Sequence, residues 1–411
     1  MAMALLGHQL DRPRLEKLSD GLATAAVVCL PWSTTFTGIF LTLWLLSLLP
    51  VHDFPGLRRI LKTPAGALPI ALLGFAALGM LWADVSWTER LHGVNAMLKL
   101  LFIPLLMTRF SRSSRAHWAL NGLLGSVTVL LLVSTLHWFF WPTRLFNSEY
   151  PGIPVHDYIT QSAFFMVAIF VLLERAKVAW REGRVWHCVA FGILAVLFLT
   201  SILSIATGRT AFAVIPVLLV LFALRQASIR AGIALCLAGV LLVGTAWAVF
   251  PYFGQRVASI MDEIRRYEVD TEFTSAGFRL EFIKNSVQII GEAPMIGHGT
   301  GMIRQSFVRA IEKGQSRLPI PTVNPHNQIL AIAIQFGLTG TALLFAMWIA
   351  HLWLFRGPTF LAWAGLVVTA QNVVSSLFNS HLFDFTMGWF YVIMVGVLAG
   401  AVMRERESRA V

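Results

Sequence analysis

The chain has 411 residues, of which 57 % are hydrophobic and only 13 % charged, with a formal net charge of +11 and a mean hydropathy of +0.71. Soluble domains carry about 25 % charged residues, so a soluble enzyme, a disordered chain and a disulfide scaffold are excluded. The composition is that of an all-α polytopic membrane protein.

A bilayer core of about 30 Å is crossed by roughly 20 apolar residues in a helix. In chain order, residues 18–49 form one apolar stretch interrupted at Pro31-Trp32-Ser33. It is long for one span and short for two, and is read as a hairpin of two short helices. Further spans are expected near 66–82, 92–108, 116–140, 158–174, 186–206, 210–225 and 231–250. After a long polar interval come 326–354, 359–377 and 385–403. The total is about twelve transmembrane helices.

Charge sets the orientation. Arg12, Arg14 and Lys17 should share the cytoplasmic side with Arg58, Arg59 and Lys62, which requires two crossings between them. Continuing this alternation puts the Arg109, Arg175, Arg225 and Arg404 clusters inside as well, and both termini with them. The short outer loops then hold only Arg90, Arg144 and Arg209 among basic residues. The positive charge therefore reflects topology, and a nucleic-acid partner is not expected despite a pI near 10.2. The first apolar run follows a basic, polar stretch without a small-residue cleavage site, so no cleavable signal peptide is expected. Cys29, Cys188 and Cys236 all fall in spans, and no disulfide or metal site is expected.

The longest polar segment, 251–325, falls outside and is too long for a simple connection. Two amphipathic helices are expected in it. Phe278, Phe282, Ile283, Val287 and Ile290 recur at helical spacing over 276–290, and Ile303, Phe307 and Ile311 over 302–313. Each would lie on the membrane surface or cap the bundle. Between them, Gly297-His298-Gly299-Thr300-Gly301 is either an ordinary turn or a nest of amides for an anion.

Further on, prolines hold residues 318–325 extended before His326 and Asn327 open a long apolar helix. A histidine at a helix N-terminus is biased towards the neutral imidazole and so can act as a base; the alternative is interfacial capping. Arg209 lies in the outer turn Ala206-Thr207-Gly208-Arg209-Thr210, against the chain's own charge rule. It is an anion ligand or a snorkelling interfacial residue. Arg279 borders the apolar stripe of its helix and can reach a lipid phosphate or stay on a solvated face. Arg265, Arg266 and Arg304 could join it. Asp384, at the mouth of the last span, is a site acid or a helix cap. One histidine and several arginines without an Asp-x-Asp pair suit a diphosphate leaving group, because arginine forks neutralise phosphate oxygens without a cation.

The long outer loop before a late span, the Thr-Gly-Arg turn at 207–209 and the Asn-Pro-His-Asn run at 324–327 resemble the bacterial O-antigen ligases. The resemblance extends in topology over nearly the whole chain. It implies a multi-pass enzyme of the bacterial inner membrane with its active site on the periplasmic side. Such an enzyme moves O-antigen polysaccharide from undecaprenyl diphosphate to the outer-core sugar of lipid A–core, with membrane lipid around it and no cofactor. Under it, the chain divides into residues 1–250 with spans one to nine, a periplasmic loop domain at 251–325, and 326–411 with the last three spans and a cytoplasmic tail. By motif, Arg209 and His326 resemble the family's essential arginine and histidine, and Arg279 an arginine of the loop helix. Arg265 is a further diphosphate candidate. Arg304, Asn327, His298 and Asp384 are secondary candidates. The expected chemistry is a metal-independent, inverting single displacement.

A polymerase of the same superfamily or a protein O-oligosaccharyltransferase would share this donor chemistry and differ only in acceptor. A transporter of lipid-linked substrates is a third reading. Transporters carry ionisable residues and broken helices at the midplane, whereas Lys99 is the only charged residue well inside an expected span.

Overall fold

The computed structural model describes residues 12–51, 53–140, 150–225, 230, 244 and 274–410, except the side chains of 209, 275, 276 and 410. The expected span at 231–250, apart from position 244, and Arg144, Arg265 and Arg266 lie outside the described residues. The described residues are all-helical, without a strand. Five helices are long and apolar enough to cross a membrane, or six if one sharply bent pair counts as a span.

The first apolar stretch is two helices, α1 (Arg12–Cys29) and α2 (Thr34–Leu48). Ser33 ends the turn between them, its hydroxyl accepting from the Phe36 amide. Trp32 Nε1 donates to Ser126 Oγ at 2.9 Å, which pins the hairpin to α7 (Ala116–Phe140). α3 (Phe54–Ile60) meets α4 (Pro64–Leu78) at 87°. Thr63 caps the elbow and Pro64 starts the new helix, where its missing N–H costs nothing. α5 (Trp87–Met97) and α6 (Phe102–Phe110) form one 24-residue span joined by a 3-10 turn at Leu98–Leu101. Lys99 sits buried in that turn and donates to the Asp384 carbonyl at 2.6 Å.

At the end of the bundle carrying the chain's first helix, Asp20 is fully buried. It accepts two bonds from Arg109, at 2.8 and 2.9 Å, and others from Ser113 and Arg115. A fork of this kind holds α1 against the α6–α7 turn. α8 (Tyr158–Arg181), α9 (Val185–Ser204) and α10 (Arg209–Leu224) follow. The core is organised around the last helix, α15 (Phe385–Ala410), whose apolar part is almost wholly enclosed. α6 lies directly on it: a Cβ at Gly400 would sit 2.5 Å from the Met107 carbonyl. Close backbone approach at small residues is the usual device of helix packing in lipid.

The polar segment carries the expected helices, α11 (Ser275–Glu292) and α12 (Ile303–Glu312). Their apolar faces, Phe282, Ile289 and Phe307 among them, pack on Ala331 and Ile334 of α13 (Gln328–Leu354). Both helices pack one side on α13, while Ile283 and Val287 of the expected α11 stripe stay exposed. α14 (Phe360–Ser375) and a turn at 376–384 lead into α15.

Candidate functional site

α13 is not continuous. Gly337 has φ 60° and ψ −158°, a conformation open essentially to glycine alone. The break leaves helix carbonyls and amides without partners inside an apolar segment, where such groups must be satisfied by protein. The segment 294–301 satisfies them. His298 and Gly299 donate to the Ile334 and Gln335 carbonyls at 2.9 and 2.8 Å, while Leu338 and Thr339 donate to the Pro294 and Met295 carbonyls at 2.8 and 3.1 Å. Thr300 N reaches the Gly79 carbonyl, and Gly301 N the Gln335 side chain. The amides of the glycine-rich run are therefore spent on backbone and side-chain partners, and the anion-nest alternative for it is withdrawn. The ring of His298 is also engaged, its Nε2 donating to the Ile289 carbonyl at 2.8 Å.

Downstream, residues 314–327 form an extended strap. The buried Glu281 carboxylate accepts from the Arg317 amide at 2.9 Å, and Asn285 donates to Ser316. At the far end, Asn327 is the N-cap of α13, its Oδ1 accepting from the amides of Ile329 and Leu330. Its amide group donates to the Leu377 carbonyl. Gln328 is fully buried and binds the turn at 376–384 twice, through Ser376 O and the Leu382 amide.

His326 stands one residue outside the cap with φ 52°, an uncommon conformation for a residue with a Cβ. The Asn324 side chain holds it there, accepting from the His326 amide at 2.8 Å. The imidazole stacks on Phe282, with centroids 5.9 Å apart and planes 23° from parallel. Part of the ring surface stays exposed, yet the protein crowded around it and the positive charge of Arg279 lower its pKa from the ordinary value. A side-chain hydrogen bond with Asn379 opposes them. The neutral ring expected from the sequence is thus favoured by crowding and a guanidinium. Arg279 and His326 line one cleft of about 420 Å³, walled by Phe278, Phe282, Ile320 and Pro321.

A second cavity, of about 580 Å³, opens on the other side of the strap. Thr88, Glu89 and His92 of α5 line it, with Arg304 of α12 and Asn324 of the strap. Asn379, Ser380, Phe383 and Asp384 complete it from the turn. Asn324 Nδ2 donates to Asn379 Oδ1 at 3.2 Å, and both side chains line the cavity. Asp384 caps α15 through one oxygen, accepting from the Met387 amide at 2.7 Å, and also lines this cavity.

Arg209 is the first residue of α10, and the turn before it packs on the start of α8: a Cβ at Gly208 would lie 3.1 Å from Ser162 Oγ. Its side chain lies outside the described residues, as does Arg265. Of the expected site residues, the structure brings His326 and Arg279 into one cleft and Arg304 and Asp384 into the adjoining cavity. It gives His298 and Asn327 backbone-holding roles.

Sequence reasoning missed Glu89, His92, Asn324 and Asn379, which line the cavity. Glu89 reads as part of a capping box with Ser86, which it also is, and nothing in the order of residues brings α5 to the strap. His381 is buried, with neither ring nitrogen hydrogen-bonded among the described residues. Burial pushes its pKa down to about 4 against the opposing pull of Asp384 and Asp157. That interaction also places the start of α8 beside the 376–384 turn.

Residues 193–345, a little over a third of the chain, match the family model Wzy_C, O-antigen ligase. Over this stretch the chain is similar to the O-antigen ligases, a family of glycosyltransferase-type enzymes of the O-antigen pathway. Within the matched residues lie Arg209, Arg279, the Gly337 break and the whole His326 cleft. Outside them lie α5 and the turn with Asn379 and Asp384, hence much of the wall of the second cavity. No curated protein matches the chain at a significant level.

Proposed function

We propose that this protein is an O-antigen ligase of the O-antigen ligase/polymerase superfamily, transferring O-antigen polysaccharide from undecaprenyl diphosphate to the outer-core sugar of lipid A–core. The reading places the site on the periplasmic face of the bacterial inner membrane and both termini in the cytoplasm. The observation that carries it is the pairing of His326 with Arg279 in a cleft whose other walls are apolar. A guanidinium among phenylalanine and proline side chains suits a diphosphate attached to a polyprenyl chain.

In the reaction, a hydroxyl of the acceptor attacks the anomeric carbon of the donor glycan. Its proton passes to His326, which the crowded cleft keeps neutral. The bond from the anomeric carbon to the phosphate oxygen breaks, and its electron pair leaves on undecaprenyl diphosphate. Arg279 and Arg209 hold the phosphates and offset the charge that grows on them, the kind of preorganised stabilisation that dominates many enzymes. The helix start at Arg209 adds positive dipole charge at that end of the bundle. One attack from one face inverts the anomeric configuration. Arginine clamps supply the charge, so the step needs no cation.

The test is transfer by purified protein with undecaprenyl-diphosphate glycan and lipid A–core in the presence of EDTA. A ladder of glycan-bearing lipid that disappears in His326→Ala is the expected result. Chain growth from the donor alone would make the protein a polymerase. Release of transferred glycan only onto a protein hydroxyl would make it an O-oligosaccharyltransferase.

A further inference from the structure

We infer that the cavity between α5 and the 376–384 turn is the acceptor-sugar subsite, and that donor and acceptor approach His326 from opposite sides of the strap; this rests on the transferase reading above. The two spaces differ in chemistry. The His326 cleft is apolar apart from Arg279, Thr322 and the histidine itself. The cavity, at about 580 Å³, falls within the range that takes small ligands. It presents two carboxylates against one guanidinium, with the amides of Asn324, Gln335 and Asn379 between them. The Lys99 ammonium, which donates to the Asp384 carbonyl, and Arg304 offset the two carboxylates, leaving a near-neutral set of hydrogen-bonding groups that suits a hydroxyl-rich, uncharged ring.

Both carboxylates have acceptor capacity to spare. Glu89 uses Oε2 for Ser86, and Asp384 uses Oδ1 for the Met387 amide. Neither remaining carboxylate oxygen has a hydrogen-bond donor among the described residues. Phe383 adds an apolar face on which the ring of a sugar can lie. Asn379 lines the cavity, and its side chain interacts with the His326 ring, so a hydroxyl bound in the cavity next to Asn379 lies close to the base. The division also follows the family match. All the cleft residues fall within 193–345, whereas Glu89, His92, Asn379 and Asp384 fall outside it.

The experiment uses the full-length protein in nanodiscs and the double variant Glu89→Gln with His92→Ala. Glutamine preserves the α5 capping box, so the fold is retained. Transfer kinetics are measured against each substrate in turn, and saturation-transfer NMR reports binding of delipidated core oligosaccharide. The acceptor KM should rise about tenfold, the equivalent of about one lost hydrogen bond to a charged group, with the donor KM unchanged. A rise in donor KM with an unchanged acceptor KM overturns the assignment. If the wild-type protein transfers nothing but binds the oligosaccharide, and the double variant does not, the subsite stands and the ligase reading falls. Equal oligosaccharide binding by both proteins, or by neither, overturns the subsite.

Discussion

Replacing Gly337 with alanine tests whether the broken helix holds the site together. A Cβ there would lie 2.5 Å from the Met295 carbonyl carbon and 2.6 Å from the Ile296 nitrogen. Both are backbone atoms of the paired segment and cannot rotate away. Holding a Cβ-bearing residue in this conformation costs about 1–3 kcal/mol, and forcing the overlap adds about 1–3 kcal/mol. The expected penalty is therefore about 4 kcal/mol, relieved only by separating 294–299 from α13. At about 2–4 °C per kcal/mol for a domain of a few hundred residues, the apparent melting temperature should fall by about 10 °C. Amide exchange should rise at His298, Gly299, Leu338 and Thr339 together, since these four donate across the break. Gly314→Ala is the control: its φ is 68° but nothing stands within 4 Å of the added Cβ, so only the left-handed penalty of about 1–2 kcal/mol applies. Equal shifts for the two variants, or no localised exchange in Gly337→Ala, would refute the reasoning.

His326→Ala should abolish transfer while leaving the melting temperature within about 2 °C, because the exposed ring contributes little to the core; a stable, fully active variant would remove His326 as the base. Transfer should hold its rate as pH falls below the ordinary imidazole value, since the lowered pKa of His326 keeps the base deprotonated there. In Arg279→Gln the positive neighbour is gone, so the residual activity should show its acid limb at higher pH; a limb that stays in place would mean that Arg279 does not act on His326. Asn324→Ala removes the acceptor that holds the His326 amide. It should lower kcat about tenfold, measured by gel ladder, with native melting and exchange elsewhere. Arg209→Ala should end transfer without unfolding, read by ladder and by elution from a size-exclusion column.

Much of the fold is legible because membrane helices declare themselves by composition. Charge parity points to a hairpin at residues 18–49, and the structure places two helices there. The amphipathic stripes of Phe282 and Phe307 mark helices with an apolar face to bury. The faces could not say what buries them, since a membrane surface and the side of α13 are equally apolar. His326 and Arg279 are legible as chemistry because a histidine and an arginine stand out beside an apolar span. The neutrality of His326 was expected from the helix dipole, yet Asn327 takes the cap position and the effect comes from Phe282, its surroundings and Arg279. That cause lies 47 positions upstream and leaves no local trace.

The residues that sequence missed share one property. Glu89, His92 and Asn379 each sit in a context with a sufficient local explanation, a capping box or a turn. All three also line the cavity, a role that depends on elements far apart in sequence coming together. The break at Gly337 lets 294–301 dock beside Gly79 and Gln335, and a Cβ at Gly93 of α5 would come within 2.8 Å of the Gly301 amide. Without that contact α5 would have no reason to stand opposite the strap, and the cavity would have no third wall. A glycine inside an apolar helix is unremarkable in a membrane chain, which is why its consequence is invisible until the backbone is traced. The loop, the broken helix and α5 therefore form one mechanical unit. Gly93 lines the cavity directly, whereas Gly337 lines neither space, so a perturbation at Gly337 that reaches both the cavity and the His326 cleft acts through the docked 294–301 segment.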